Sequence, residues 1–295
     1  MSSVRMGALH GEHVLLGATF EPGFDDLLAV CSYACEKDDA VFFEGAEKDG
    51  ALLCDLTGCA YVLVSGDGAG ALVGSALCGD ELAVGSAAFE GVLTGDGSLI
   101  STPLAVRTGD REIVLVDPSG HGEALAGWLS FLSGAEQDGV CPFAGTLVEP
   151  ASEMLVALLL AGPAAERVLA DYVSSPARLP RPAEVLQAHL DAIPAVLVGI
   201  PGAGELPRGY LVLVPPARAR ALWRSLLSFG EISPVGHETL RRILCDTVPW
   251  GGFLATAGPA HVSAGHLKRW HLLREGADFI GARGLVEGSD AADNR

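Results

Sequence analysis

Two adjacent hydroxyls, Ser101 and Thr102, stand in the stretch LTGDGSLISTPLAV (93–106), after an Asp96-Gly97 turn and before Pro103. Near neutral pH a hydroxyl is neither a base nor an anion, so unaided it cannot do acid–base work. Pro103 has no backbone donor, which predicts a sheet edge, a bulge, or a place where something other than a strand approaches. The acids available to such a wall are Glu90 and Asp117, the latter closing REIVLVD (111–117). Seven cysteines, at 31, 35, 54, 59, 78, 141 and 245, include no CxxC pair of the kind a structural zinc needs. They read as reduced, mostly buried thiols, with Cys31 and Cys35 able to share a helical face. Eight histidines (10, 13, 121, 189, 237, 261, 266, 271) do not fall at metal-ligand spacing with acids, so no metal site is expected.

Generic motifs are missing as well. No GxGxxG opens a helix after a strand, and there is no Walker A, HExxH or GxSxG. A net charge of −18 argues against nucleic acid and anionic membrane surfaces as partners. The longest apolar run, MLVALLLAG (154–162), is too short to span a bilayer. No basic segment followed by an apolar one opens the chain, so a cytoplasmic protein is expected.

The elements that must position these residues follow from periodicity. With 295 residues and 49% hydrophobic content, the chain has material for one large core or two intimate ones. AYVLVSG (60–66) and REIVLVD (111–117) read as strands, and HGEALAGWLSFLSG (121–134) as an amphipathic helix closed by Gly134. A hairpin is expected around Gly95–Gly97, and residues 12–30 read as a strand and a helix entry. In the second half, SEMLVALLLAG is a buried strand and 162–173 a helix opened by proline. AVLVGIP (195–201) and RGYLVLVP (208–215) form a strand pair, while 216–230 and 237–248 are helices. Hairpin-paired strands with flanking helices predict an α+β fold. The loop 137–150 is the expected boundary, dividing the chain into 1–140, 141–286 and a disordered tail at 287–295.

GADFIGARGL (276–285) resembles the DFIGREAL segment of glycine cleavage T-proteins, the tetrahydrofolate-dependent aminomethyltransferases. Other pieces are similar to that family in the same order. They are LLCDLTGCAYVLVSGDGAGAL (52–72), GSAAFEGVLTGDGSLISTPLAV (85–106), REIVLVDPSGHGEALAGWL (111–129), LLAGPAAERVL (159–169), GIPGAGELPRGYLVLVPPARARALWRSLL (199–227) and GHETLRRI (236–243). The resemblance implies interlocked α+β folate-binding domains around a central channel, with antiparallel and mixed sheets and flanking helices. It also implies that the family's C-terminal β-barrel is missing.

The same resemblance assigns jobs to residues. Glu205 matches the glutamate that accepts from the pterin's paired N–H donors, as a carboxylate can, although Leu206-Pro207-Arg208 is inserted after it. Phe89 takes the place of a ring-contacting tyrosine, Asp117 that of an asparagine facing the pteridine, and His237 that of an arginine. Cys59 replaces a methionine near the pocket. Ser101 and Thr102 occupy the family's Asp-Asp pair, so the usual catalytic acid has gone and Asp117 or Glu90 would have to act. The implied activity is one-carbon (methyl or methylene) transfer to tetrahydrofolate, possibly as a demethylase, with a small one-carbon donor and a lipoyl carrier as partners. An alternative is a catalytically inactive folate-binding or scaffold protein. The iron–sulfur maintenance branch ranks last, because its KGCYxGQE signature is absent.

Overall fold

The computed structural model describes residues 4–34, 50–136, 138–174 and 176–285. Cys35 and the tail at 287–295 lie outside them. Two compact units emerge, and they do not follow the division at residue 140. One comprises Met1–Cys59 and Ala151–Val248, the other Ala60–Pro150 and Pro249–Arg295. Each unit is assembled from two stretches of chain, because strands distant in sequence pair within one sheet.

The first unit is built on a six-stranded sheet. From edge to edge it runs Val185–Leu190, Ile193–Gly199, Gly209–Val214, Val156–Ala161, Ala51–Asp55 and Ile232–Pro234. Ala51–Asp55 and Gly209–Val214 are buried at every position, as continuous apolar runs covered on both faces should be. The predicted pair across residues 195–215 forms as an antiparallel ladder. Helix Pro216–Leu226 starts on a proline and buries Ala219, Leu222, Trp223 and Leu226, the i, i+3, i+4, i+7 face of an amphipathic helix. Residues 12–30 differ from expectation. The helix comes first, at His10–Leu15, and a hairpin of Ala18–Pro22 with Leu28–Tyr33 follows. Asp25 and Asp26 turn that chain with φ of 58° and 56°, a left-handed geometry that short polar side chains tolerate.

In the second unit a five-stranded antiparallel sheet has the order Thr146–Pro150, Ala60–Gly66, Glu112–Asp117, Leu104–Gly109, Ser86–Phe89. The expected boundary loop at 137–150 therefore ends in an edge strand. Ser98–Ser101 sits between Val92–Leu93 and Ala260–His261 in a separate three-stranded sheet. Pro103 lies where the chain passes from that sheet into Leu104–Gly109, and its carbonyl accepts from the Glu90 amide at 3.0 Å. Proline is tolerated here because the chain changes sheets and needs no ladder donor. Helices Ala69–Ala76 and Gly122–Ser133 flank the five-stranded sheet. The fold is α+β, and no sheet among the described residues closes on itself. No helix among them is long and apolar enough to cross a membrane.

Gly66 ends its strand at φ 103°, and a Cβ there would stand 2.0 Å from the Gly145 carbonyl oxygen. Gly66→Ala combines backbone strain with a clash against main chain, so it costs about 2 kcal/mol or more. Guanidinium unfolding checks this, and a loss below about 0.5 kcal/mol would refute the placement of that strand.

Candidate functional site

Ser101 is the last residue of its strand and Asp117 the last of Glu112–Asp117. The fold joins them. Ser101 Oγ donates to Asp117 Oδ2 at 2.6 Å, and the Ser119 amide donates to Oδ1 at 2.8 Å. Asp117 has no Lys, Arg or His partner among the described residues. Ser101 and Asp117 are 0% and 1% exposed, so the pair is sealed from solvent. Thr102, next along, is 5% exposed, and its hydroxyl has no hydrogen-bond partner among the described residues. After Asp117 the chain turns through Pro118-Ser119-Gly120 into helix Gly122–Ser133. His121 there stacks on Phe253 at 4.3 Å and donates from Nε2 to the Phe253 carbonyl at 3.3 Å.

Phe89 and Glu90 alternate across the chain. The half-buried Phe89 ring meets Trp250 edge-on at 5.3 Å. Glu90 turns instead to Gly79, whose amide donates to Oε2 at 2.8 Å, and a Cβ on Gly79 would stand 2.1 Å from that oxygen. Burial pushes the Glu90 carboxyl up to about 8, against the smaller opposing pull of the Gly79 amide and the Arg274 charge. No hydrogen bond joins it to Ser101 or Asp117. Cys78, beside it, donates to the Leu272 carbonyl at 2.9 Å, and burial pushes its thiol up to about 12.

In the first unit, Glu205 is exposed on the loop before Gly209–Val214. Its amide donates to the Thr247 carbonyl at 2.9 Å, and its carboxylate is unpaired among the described residues. His237 opens helix His237–Thr247 and is completely buried. Its Nε2–H donates to the Asp55 carbonyl at 2.8 Å, and Cys59 Sγ lies 3.7 Å from the ring. Burial lowers its pKa, with the Asp55 carbonyl opposing. His237, which the resemblance sets at an arginine position, is an interior imidazole holding backbone. Arg208 and Arg241 are engaged by Glu166 at 2.7 Å and Glu21 at 3.1 Å.

Sequence reasoning missed one buried polar network. Tyr33 Oη donates to His13 Nδ1 at 2.8 Å, and His13 Nε2 donates to Asp55 Oδ2 at 2.8 Å. Asp55 Oδ1 accepts from both the Thr57 amide (3.0 Å) and the Thr57 hydroxyl (2.8 Å). An Asp ending an otherwise wholly apolar strand, ALLCD, was the available signal, since a buried acid needs partners. The six cysteines at 31, 54, 59, 78, 141 and 245 form no disulfide among the described residues. No group of three or more metal-ligating side chains gathers among the described residues.

The family model described as the GCVT N-terminal domain matches residues 33–246. The chain belongs to this family. An aminomethyltransferase of Streptomyces avermitilis is 24% identical over 300 residues, covering 98% of this chain and 75% of that protein. One of Rubrobacter xylanophilus is 26% identical over 164 residues, covering 55% of this chain and 41% of the relative. The crystal structure of glycine cleavage system aminomethyltransferase T from Bartonella henselae superposes with a TM-score of 0.71 at 21% identity. It covers 98% of this chain and 76% of that one. At that identity the likeness speaks for the GCVT-type fold.

Proposed function

We propose that this GCVT-family chain binds tetrahydrofolate and handles a one-carbon unit, methyl or methylene, taken from a small donor or a lipoyl carrier. Family membership across residues 33–246 carries the reading. Each unit, taken by itself, offers one feature suited to a ring bearing N–H donors and acceptors. Glu205 offers an unpaired, exposed carboxylate, which paired N–H donors satisfy. In the second unit, Thr102 holds a buried hydroxyl that no described protein group satisfies, an arrangement that costs free energy unless a ligand or water completes it. Bound tetrahydrofolate would supply the nucleophilic nitrogen that accepts the carbon unit. Glu205 would fix the ring's orientation.

One observation favours a second reading, binding without transfer. Ser101 stands where the family's acid is expected, and its hydroxyl is fully buried and spent on Asp117. Calorimetry with tetrahydrofolate tests binding, and formation of methyl- or methylenetetrahydrofolate from candidate donors tests transfer. Binding without product selects the second reading, and absence of both removes the two together. Glu205→Ala weakens tetrahydrofolate binding at least tenfold, about 1.4 kcal/mol. An unchanged affinity refutes the role given to that carboxylate.

A further inference from the structure

Within the second unit, residues 272–280 belong to no helix or strand. Leu272 and Phe279 are buried near the two ends of this stretch, while Glu275, Gly276, Ala277 and Asp278 stand exposed between them. Two main-chain bonds among the described residues tie it to the body of the unit. The Arg274 amide donates to the Cys78 carbonyl at 2.7 Å, and the Ile280 amide donates to the Ser75 carbonyl at 2.8 Å. Arg274 is the main clasp. Its guanidinium donates to the carbonyls of Gly74, Leu77 and Gly79 at 2.8, 2.7 and 2.8 Å, acceptors that the end of helix Ala69–Ala76 leaves unpaired. It also lies over the Phe279 ring at 5.0 Å. A stretch with so few anchors and no ladder belongs to the low-stability end of a fold and opens before the sheets do.

Two ionisable groups lie beneath it. The Cys78 thiol donates to the Leu272 carbonyl at 2.9 Å. A Cβ on Gly91 would stand 2.7 Å from Cys78 Sγ and 3.4 Å from that same carbonyl oxygen, so the chain at Glu90–Gly91 is wedged between Cys78 and Leu272. Cys78 and Glu90 are 0% and 1% exposed. Facing the Glu90 carboxyl are the Gly79 amide, the Cys78 thiol, the Asp80 carboxylate and the Arg274 guanidinium. Burial is the largest influence and pushes that carboxyl up to about 8. The Gly79 amide and Arg274 oppose it, and Asp80 adds to it. Lifting residues 272–280 would admit water to Glu90 and end the desolvation, returning the carboxyl toward its ordinary value.

We propose that residues 272–280 form a pH-gated strap, closed over Cys78 and Glu90 while the Glu90 carboxyl keeps its proton and released as that proton leaves. The sign follows from linkage. A proton held in the closed form and lost from the open one favours closure fully below the ordinary carboxyl value of 4.5, and progressively less as pH climbs toward 8. Within that window each pH unit raises the open fraction up to about tenfold. His271, at φ 58°, turns the chain immediately before the strap. Gly281, just after it, packs so closely that a Cβ there would stand 2.6 Å from the Thr94 carbonyl oxygen, which anchors the far end. The open strap offers solvent a Cys78 thiol that the closed fold withholds.

N-ethylmaleimide labelling of the full chain, read by peptide mass spectrometry, follows opening through Cys78, and the exposed Cys141 reports the reagent's own pH dependence. In wild type the ratio of Cys78 to Cys141 labelling rates rises at least tenfold between pH 6 and pH 8. In Glu90→Gln, which has no proton to lose, the ratio changes less than twofold. Arg274→Met, which removes the clasp, raises it at least tenfold at pH 6. Hydrogen exchange, corrected for intrinsic rates, separates the strap from the unit that carries it. The amides of Arg274 and Ile280 lose protection as pH rises, while those of Glu112–Asp117 keep theirs. A wild-type ratio flat with pH, an equal slope in Glu90→Gln, or an unchanged ratio in Arg274→Met would each overturn the proposal. So would exchange at Glu112–Asp117 in step with Cys78 labelling, because the whole unit would then be opening. If Arg274→Met does not fold, the comparison of wild type with Glu90→Gln decides alone.

Discussion

Asp55→Ala lowers the unfolding free energy of its compact unit by about 3–5 kcal/mol, the range for removing one partner of a buried ionisable pair. Asp55 is 2% exposed and the acceptor on which the interior network converges. A carboxylate only accepts, so the ring N–H at Nε2 points at Asp55 and Nδ1 is left to accept from the Tyr33 hydroxyl. Alanine would leave that N–H without an acceptor, together with the Thr57 amide and hydroxyl, and each buried donor left unmade carries its own desolvation cost. Relaxation offers little relief. Trp223, 1% exposed, stands edge-on to the His13 ring at 4.9 Å, so the imidazole cannot swing toward solvent. The bond from His237 to the Asp55 backbone carbonyl survives the substitution, so the strand keeps its place and the loss reads the carboxylate alone. Guanidinium unfolding followed by tryptophan fluorescence measures it. A change below about 1 kcal/mol would mean the network is not formed as described.

The second large effect is a pH dependence centred on Glu90. Its carboxyl is held near 8 in the fold against a usual value of 4.5. Between those values the folded chain keeps a proton that the unfolded chain has released. A group whose pKa is raised by folding stabilises fully below its unfolded pKa, and that stability is lost as pH rises through the window. At about 1.4 kcal/mol per unit, wild type should lose roughly 3 kcal/mol from this group between pH 5 and pH 7.5. Glu90→Gln keeps an oxygen for the Gly79 amide and has no proton to lose. Its unfolding midpoint should therefore be flatter with pH than wild type, and higher at pH 8. Denaturation midpoints of both proteins at pH 5, 6, 7 and 8 decide the matter, and parallel curves would show that Glu90 does not hold its proton in the fold.

Much of the local architecture was legible in sequence. Continuous apolar runs such as ALLCD and GYLVLV marked strands covered on both faces, and the spacing of Ala219, Leu222, Trp223 and Leu226 marked a helix with one buried stripe. These are short-range consequences of side-chain period, so no tertiary information is needed to see them. The ordered fragments from residue 52 to 285 placed the chain in its family, because a site's scaffold leaves residues of fixed type at many separate points. Two departures from the family's pattern, Ser101 and Asp117, were visible as well, but only as separate substitutions.

Their contact was not visible. Ser101 and Asp117 belong to strands of different sheets, and only the passage of the chain through Thr102 and Pro103 brings the hydroxyl within 2.6 Å of the carboxylate. Likewise nothing in the spacing of His13, Tyr33 and Asp55 announced a network, since each reaches the others across long loops of chain. The division into two interleaved units had the same cause. Sheet partners are chosen by burial and register among strands far apart in sequence. Side-chain chemistry and local period were set residue by residue, whereas which polar group satisfies which, and which acid is buried enough to keep its proton, was decided by packing alone.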